Sequence, residues 1–182
     1  MLLNICDMPP QASTMEFKNF KNYPETETAY NAARSMAVNF RRVCWLVLLG
    51  NNDIGKTHLA VSVCKEWIRA GIPAKYTLVS LLLDELRRGY KQENDNYDET
   101  YRMYCNIPLL LLDDYGIESD TRWVQEKLDT LIDYRLMHNK SLIVTSNWTL
   151  EEMPGRIRSR LMRHPNSVII GIESKEYSLR GK

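Results

Sequence analysis

Residues 50–57 carry the residue types and spacing of a phosphate-binding loop. They read Gly-Asn-Asn-Asp-Ile-Gly-Lys-Thr and fit the pattern G-x-x-x-x-G-K-[ST] at every fixed position. After a buried strand, such a loop points successive backbone N–H groups at phosphate oxygens, and the positive end of the next helix adds to the attraction. We expect the Lys56 side chain to reach the β- and γ-phosphates and the Thr57 hydroxyl to bind Mg²⁺.

The predicted nucleotide contacts are the residues of this loop and the first turn after it: Gly50, Asn51, Asn52, Asp53, Ile54, Gly55, Lys56, Thr57 and His58. Such a match arises by chance in roughly one chain of this size in a hundred, or fewer. The context supports it, because an apolar run precedes the loop and a helical pattern follows it. The alternative is an ordinary turn between a strand and a helix.

Two neighbouring acids, Asp113 and Asp114, follow the apolar run 109–112. Like charges side by side cost free energy unless a cation compensates them. We therefore expect Asp113 to hold Mg²⁺, directly or through water, and Asp114 to orient or deprotonate an attacking water. An acidic strand end that opens a polar loop is common by itself, so this interpretation depends on the phosphate loop.

A further apolar run, 142–145, leads to Asn147. An amide at this position can hydrogen-bond both a γ-phosphate and the attacking water. The alternative is an Asn that only forms a turn, which would be the preferred interpretation without the other two motifs.

The most basic stretch, residues 156–164, places Arg156, Arg160 and Arg163 on one helical face. One interpretation is an arginine presented to the γ-phosphate of a neighbouring subunit, an effect of about 10³–10⁵ in rate where it operates. The alternative is a solvated basic face, and the spacing alone does not distinguish the two.

Alternating strands and helices must position these groups. The predicted strands are 43–49, 75–79, 107–112, 142–145 and 168–172, and the predicted helices include 25–39, 56–70, 80–89, 98–104 and 121–139. This order predicts an α/β fold with a parallel sheet and helices on both faces. Ligands bind such sheets at the carboxyl ends of the strands, where all three polar motifs lie.

The composition limits the class of protein. A chain of 182 residues, 44% hydrophobic and 26% charged, is typical of one globular domain and excludes a disordered or disulfide-rich chain. The net charge of +1 gives no global basic field, so any nucleic-acid contact must be local. The apolar runs are far shorter than the roughly 20 residues of a membrane span, and the four dispersed cysteines indicate reduced thiols; we expect a cytoplasmic protein without membrane contact.

Together the motifs resemble the AAA+ ATPases of the DnaC- and IstB-like group, which are bacterial and phage helicase loaders and transposition helper ATPases. The resemblance runs from about Met8 to the C-terminus and rests on M-P-P-Q-A-S-T-M-E-F-K-N-F, G-K-T-H-L-A, L-L-L-L-D-D-Y-G, W-V-Q-E-K-L, T-S-N-W-T-L-E-E-M and R-I-R-S-R-L. It implies a P-loop NTPase fold, an AAA+ αβα core with a five-stranded sheet that binds ATP and Mg²⁺ between assembling subunits. It also implies that Asn147 is sensor 1 and that Arg160, followed by Arg156, is the candidate arginine finger.

Two residues depart from the family pattern. Asp53 replaces a glycine of the usual G-P-P-G-T-G-K-T loop; Asp tolerates left-handed backbone, but its charge near phosphates is expected to weaken binding. Asp114 is shorter than the Glu of most AAA+ proteins, although two Asp residues do occur in this group.

The resemblance also indicates where single-stranded DNA would bind, because related initiators and loaders use helices between the second and third strands. Here that region holds Arg87, Arg88, Tyr90 and Lys91, and cations interleaved with aromatic rings suit single-strand binding. The alternative is that the tyrosines of this region, which continue with Tyr97, Tyr101 and Tyr104, pack against the sheet while nearby acids cancel the charge.

We therefore expect an entry linker at residues 1–24 and an AAA+ ATPase core at 25–182. Only about ten residues follow the last predicted strand, so no C-terminal lid domain is expected. The expected function is ATP hydrolysis, weak without assembly, by a replication protein that loads or remodels a replicative helicase on single-stranded DNA. The alternatives are an IstB-like transposition helper and a scaffold that binds ATP without efficient hydrolysis.

Overall fold

The computed structural model describes residues 8–91, 96–116 and 122–179. Within these ranges the strands are β1 (Trp45–Gly50), β2 (Ala74–Leu78), β3 (Leu109–Tyr115), β4 (Ser141–Ser146) and β5 (Ser167–Ile172). The helices are α1 (Glu27–Val38), α2 (Lys56–Arg69), α3 (Val79–Lys91), α4 (Asn96–Asn106), α5 (Arg122–Met137) and α6 (Gly155–Arg163). Every described strand and helix lies within a few residues of its predicted place.

The five strands form one parallel sheet in the order β2-β3-β4-β1-β5. β1 lies between β4 and β5, with Trp45 opposite Leu142 on one side and Ser167 on the other. The order reverses beside β1, because the chain passes from β1 to an outer strand and later inserts β4 next to it. Ligands bind parallel sheets at such switch points, and the prediction of a five-stranded α/β fold is confirmed.

Burial on both faces explains why the central strands are continuous apolar runs. Along β1, Leu46 and Leu48 face a core shared with α1 and α2, while Trp45, Val47 and Leu49 face a second core shared with α3 to α6. β3 divides its leucines between the two faces in the same alternating way. Among the described residues, no helix combines the length and the apolar character that crossing a membrane requires.

The described part of the predicted entry linker, residues 8–24, packs on the first of these cores. It forms three short 3-10 turns, Pro10–Thr14, Phe17–Asn19 and Pro24–Thr26. Phe17 and Phe20 are buried, and the Phe20 ring stacks on Tyr30 of α1 with 5.7 Å between centroids. The carbonyl of Glu16 lies 2.9 Å from Nε2 of His58 in α2, so this segment lies beside the phosphate loop.

β3 extends past its predicted end at Leu112 and includes both acids. Leu112 pairs with Val144, whereas the next pair joins Tyr115 to Ser146, so β3 carries one extra residue. Asp114 has a left-handed backbone with φ of 60° at this bulge. Consecutive residues of a regular strand point to opposite faces, and the bulge removes that restriction for Asp113 and Asp114.

Candidate nucleotide-binding site

The phosphate loop joins β1 to α2 as the sequence predicts, and its two glycines are needed for steric reasons. Gly50 has φ of 134°, and a side chain there would collide with the carbonyl of Ile172. Gly55 caps α2 with φ of 91°, and a Cβ atom there would lie 2.6 Å from Cε2 of Phe20. Ile54 between them is fully buried, so it anchors the loop in the core.

Lys56 is buried at the start of α2, and its ammonium group is held by oxygen atoms of the loop. Nζ donates to the carbonyls of Gly50 at 2.7 Å and Asn51 at 2.5 Å, and to Oδ1 of Asn147 at 2.9 Å. Burial lowers the pKa of Lys56, while the carboxylates of Asp114 and Asp113 act in the opposite direction. The lysine is therefore already positioned between the loop and the end of β4.

Three hydroxyl groups donate hydrogen bonds to the carboxylate of Asp113, the predicted metal ligand. The hydroxyls of Thr57 and Thr145 donate to its Oδ1 at 2.9 Å and 2.6 Å, and the Tyr76 hydroxyl donates to its Oδ2 at 3.0 Å. Burial, followed by the charge of Asp113, raises the pKa of Tyr76, so the phenol stays a donor. Thr57 and Asp113 present the hard oxygen ligands that Mg²⁺ prefers, so the residues present fit this ion.

Asp114 and Asn147 meet through their side chains. Nδ2 of Asn147 donates to Oδ1 of Asp114 at 3.0 Å, and the backbone N–H of Asp114 donates to the Thr145 hydroxyl at 2.9 Å. Burial raises the pKa of Asp114, and the neighbouring charge of Asp113 adds to the effect. The left-handed backbone of Asp114 also gives a reason for Asp at this position, because Asp and Asn tolerate that conformation better than Glu.

These groups surround one cavity of 580 Å³ at the carboxyl ends of the strands. Ten residues that the sequence predicted for the site line this cavity: Asn52, Asp53, Ile54, Gly55, Lys56, Thr57, His58, Asp113, Asp114 and Asn147. Gly50 and Asn51 lie outside that lining and contribute the carbonyls that hold Lys56. The volume is in the range of a small-molecule or cofactor site.

The rest of the lining was not predicted from the sequence: Met15, Asn19, Phe20, Lys21, Tyr23, Leu78, Thr145 and Tyr177. Neither was Tyr76, which donates a hydrogen bond to Asp113 from β2. Thr145 lies two residues before Asn147, and the polar end of β4 was a usable signal for it. The aromatic residues come from segments without strong periodicity at both ends of the chain, so no local pattern connects them to the loop.

The two predicted arginine fingers differ in their surroundings. Arg160 forms a two-pronged ion pair with Asp133 of α5, in which Nη2 lies 2.5 Å from Oδ2, and it also reaches Asp129 at 3.4 Å. Its side chain is 18% exposed, whereas that of Arg156 is 81% exposed and lies 3.8 Å from Asp129. The structure does not bring either arginine to the lining of the nucleotide cavity of its own chain.

The predicted DNA segment is described only in part. Arg87 pairs with Asp84 at 3.3 Å and lies over the Trp123 ring, and Arg88 donates to the Asp84 carbonyl. The side chains of Tyr90 and Lys91, like that of Tyr97, lie outside the described residues. Tyr104 is buried, and the hydroxyl of the half-buried Tyr101 donates to the Lys127 carbonyl, so these two rings pack inward.

Two curated relatives are similar to the chain over most of its length. The replicative helicase loader DnaC of Escherichia coli (strain K12) is 22% identical over 149 residues, which are 79% of this chain and 61% of the relative. The chromosomal replication initiator protein DnaA of Bordetella pertussis (strain Tohama I) is 27% identical over 170 residues, 91% of this chain and 36% of the relative. The chain therefore spans less than two thirds of either relative.

Solved structures share the fold at low identity. A replication initiator DnaA bound to AMPPCP and single-stranded DNA superposes with a TM-score of 0.80 at 20% identity, covering 93% of this chain and 52% of that one. A DnaC helicase loader superposes with a TM-score of 0.77 at 23% identity, covering 91% of this chain and 100% of that one.

The model of the family described as IstB-like ATP binding protein matches residues 1–164. With the loop, the acid pair and the polar end of β4 in one cavity, the chain is a P-loop AAA+ protein and belongs to the family of IstB-like ATP binding proteins.

Proposed function

We propose that this protein binds ATP in the 580 Å³ cavity and hydrolyses it to ADP and phosphate. The observation that carries the proposal is the joining of three distant motifs by side-chain hydrogen bonds. Lys56 donates to Asn147, Asn147 donates to Asp114, and Thr57 donates to Asp113. A phosphate loop, an acid pair and a polar strand end are the parts that phosphoryl transfer to water needs.

The chain supplies phosphate binding through the loop and the start of α2. The backbone N–H groups between Gly50 and Lys56 and the positive helix end attract the phosphate oxygens. Lys56 places its ammonium group at the centre of these groups and neutralises the β- and γ-phosphates. Thr57 and Asp113 would hold Mg²⁺, which would supply positive charge that offsets the charge of the phosphates.

The chain supplies water activation through Asp114 and Asn147. Asp114 accepts a hydrogen bond from the attacking water and then its proton, and its raised pKa brings the carboxylate closer to the working range of a base. Asn147 holds this carboxylate in place through the 3.0 Å hydrogen bond. Water adds to the γ-phosphorus as the bond to the bridging oxygen of ADP breaks, which leaves ADP and phosphate.

Two variants test binding and hydrolysis separately. Lys56→Ala should abolish binding of a fluorescent ATP analogue, whereas Lys140→Ala, a lysine far from the cavity lining, is the matched control. Asp114→Asn should keep binding within about tenfold of the wild type and reduce single-turnover hydrolysis at least about a hundredfold. Retained binding in Lys56→Ala would contradict the proposal for the loop, and hydrolysis at the wild-type rate in Asp114→Asn would contradict the proposed base.

We further propose that the protein works as an assembly, with ATP between subunits and an arginine of α6 reaching a neighbour. Arg160 and Arg156 are the candidates, and the greater exposure of Arg156 favours it. The support is the family resemblance and the position of both arginines away from the cavity of their own chain. ATPase activity per subunit should then rise steeply with protein concentration, whereas a constant specific activity would contradict a shared site.

The biological role that we propose is in DNA replication, as a factor that loads or remodels a replicative helicase on single-stranded DNA. Its support is the similarity to DnaC and DnaA described above. A transposition helper is the second candidate, and the match to the IstB-like family model supports it. Stimulation of the ATPase by single-stranded but not duplex DNA favours the loader, and stimulation only by duplex DNA favours the helper. A scaffold would bind ATP with no measurable turnover under any of these conditions.

For DNA contact we propose the C-terminal end of α3, where Arg88 is exposed and Arg87, Arg88, Tyr90 and Lys91 lie together in sequence. Arg88→Ala should weaken the binding of a labelled oligonucleotide several-fold, with the larger effect at low salt because phosphate contacts release counterions. Arg41→Ala, an exposed arginine after α1, is the matched control for the loss of one charge. Equal affinity of the two variants would exclude a specific role for this segment.

A further inference from the structure

The C-terminal 3-10 turn Tyr177–Leu179 is fixed to the phosphate loop through Asp53. The backbone N–H of Tyr177 donates to the Asp53 carbonyl at 2.8 Å, and that of Ser178 donates to Asp53 Oδ2 at 2.7 Å. One loop residue thus accepts two successive backbone N–H groups of a segment more than 120 residues away. The Asp53 carboxylate thus accepts the backbone N–H of Ser178, and a glycine at position 53 would have no side chain to make this hydrogen bond.

The Tyr177 ring lies over the same cavity. It packs against Phe20 with 5.9 Å between ring centroids and against Tyr23 with 5.5 Å, and its hydroxyl donates to the Lys21 carbonyl. The three rings line the cavity together with Lys56 and Asp113, and the rings of Phe20 and Tyr177 lie against Gly55 of the phosphate loop. An aromatic wall beside a phosphate loop suits the flat base of a nucleotide, because stacking on such rings is favourable.

The backbone of Asp53 explains why an acid can take this role. Its φ of 53° is left-handed, a conformation that Asp and Asn adopt more readily than most residues other than glycine. In this conformation the residue presents both its carbonyl and its carboxylate to the C-terminal turn. A glycine would keep the backbone and lose the carboxylate, whereas Asn would keep the backbone and an oxygen acceptor.

We propose that Asp53 is a positioning residue that holds Tyr177 as the base-side wall of the nucleotide cavity, so that residues 173–179 form a strap over the bound nucleotide. This inference rests on the proposed function and extends it to a segment outside the phosphate, acid and sensor motifs. From its charge alone, Asp53 is expected to weaken nucleotide binding, whereas as a positioning residue it strengthens that binding. Repulsion of phosphates makes Asn and Gly equally beneficial at position 53, whereas the strap makes the two variants differ.

The test compares Asp53→Asn with Asp53→Gly in the full chain. Hydrogen exchange of the Tyr177 and Ser178 amides, resolved by NMR, reports the strap directly and without nucleotide. We expect Asp53→Asn to keep both amides protected and Asp53→Gly to speed the exchange of Ser178 by about fivefold or more, the effect of one hydrogen bond. Unchanged exchange in Asp53→Gly would overturn the proposal.

The second measurement is the dissociation rate of a fluorescent ATP analogue. Asp53→Gly and Tyr177→Ala should both release it at least about threefold faster than the wild type, in line with the loss of one ring contact. Asp53→Asn should release it no faster than the wild type. Faster amide exchange with unchanged release would overturn the role in nucleotide binding. A wild-type chain that binds no nucleotide would instead overturn the proposed function, and its protected amides would distinguish that failure from loss of the strap.

Discussion

The side-chain amide of Asn147 lies 3.0 Å from the carboxylate of Asp114 and connects it to the ammonium group of Lys56. Asn suits this place because one amide carries both an acceptor and a donor. Its Oδ1 accepts from Lys56 and its Nδ2 donates to Asp114. The residue that binds phosphate and the proposed base are thus held by one side chain at the end of β4.

Replacing Asn147 by Ala should separate these two functions. We expect single-turnover hydrolysis to fall by about 10²–10³, the effect of losing one well-placed polar group, because Asp114 and the attacking water lose their orientation. Binding of the ATP analogue should change far less, because Lys56 keeps the carbonyls of Gly50 and Asn51 as partners. Hydrolysis near the wild-type rate would contradict the proposed role of Asn147.

Tyr76→Phe tests whether the hydrogen bond to Oδ2 of Asp113 matters for the binding of Mg²⁺. The phenol donates to Oδ2 at 3.0 Å, while Thr57 and Thr145 occupy Oδ1. Without it the carboxylate loses a fixed orientation, and we expect half-maximal ATPase activity to need about tenfold more Mg²⁺, as for other groups that orient metal ligands. Tyr134→Phe, which removes a hydroxyl bonded to Asn106, is the matched control. An unchanged Mg²⁺ requirement in Tyr76→Phe would contradict the prediction.

The sequence predicted the sheet because its strands are buried on both faces and read as uninterrupted apolar runs. It did not predict the bulge at Asp114, which depends on the pairing of β3 with β4 rather than on local composition. Side-chain alternation alone would have placed Asp113 and Asp114 on opposite faces. The bulge is therefore the tertiary feature that turns a recognised motif into two groups facing one cavity.

Two further features depended on contacts between distant residues. The aromatic wall joins Phe20 to Tyr177, and neither short segment has a periodicity that reports its partner. Arg135 is fully buried and donates to the carbonyls of Tyr104 and Ile107 at 2.8 Å and 3.0 Å, although arginine as a residue type is mostly exposed in proteins. It satisfies the backbone where α4 ends and β3 begins, a requirement that only the folded chain creates.

Stability should fall on acidification because of His164. The ring is buried, stacks on Trp45 with 4.8 Å between centroids, and accepts the N–H of Asn166 at Nδ1. Burial lowers the pKa of His164, so the unfolded chain takes up a proton near pH 6.5 while the folded chain resists it. The free energy of unfolding should therefore decrease as the pH falls below about 6.5, by at most about 1.4 kcal/mol per pH unit from this group.

Urea unfolding at pH 7.5 and pH 5.5 checks this prediction. His164→Phe keeps a ring against Trp45 and removes the titrating group, so its stability should depend less on pH than that of the wild type. His138→Gln, at an exposed position after α5, serves as the control and should follow the wild type. The prediction fails if His164→Phe loses as much stability as the wild type between the two pH values.

The two candidate arginine fingers should differ in stability and in trans activity. Arg160→Ala leaves Asp133 and Asp129 without their main partner, so the free energy of unfolding should fall by about 1–3 kcal/mol. Arg156→Ala should change the free energy of unfolding by less than about 0.5 kcal/mol, because the side chain is 81% exposed.

For activity, Arg156→Ala subunits mixed with Asp114→Asn subunits should recover part of the ATPase rate, since each supplies what the other lacks at a shared site. Recovery with Arg160→Ala and not with Arg156→Ala would show that Arg160 leaves its ion pair with Asp133 to serve the neighbouring subunit.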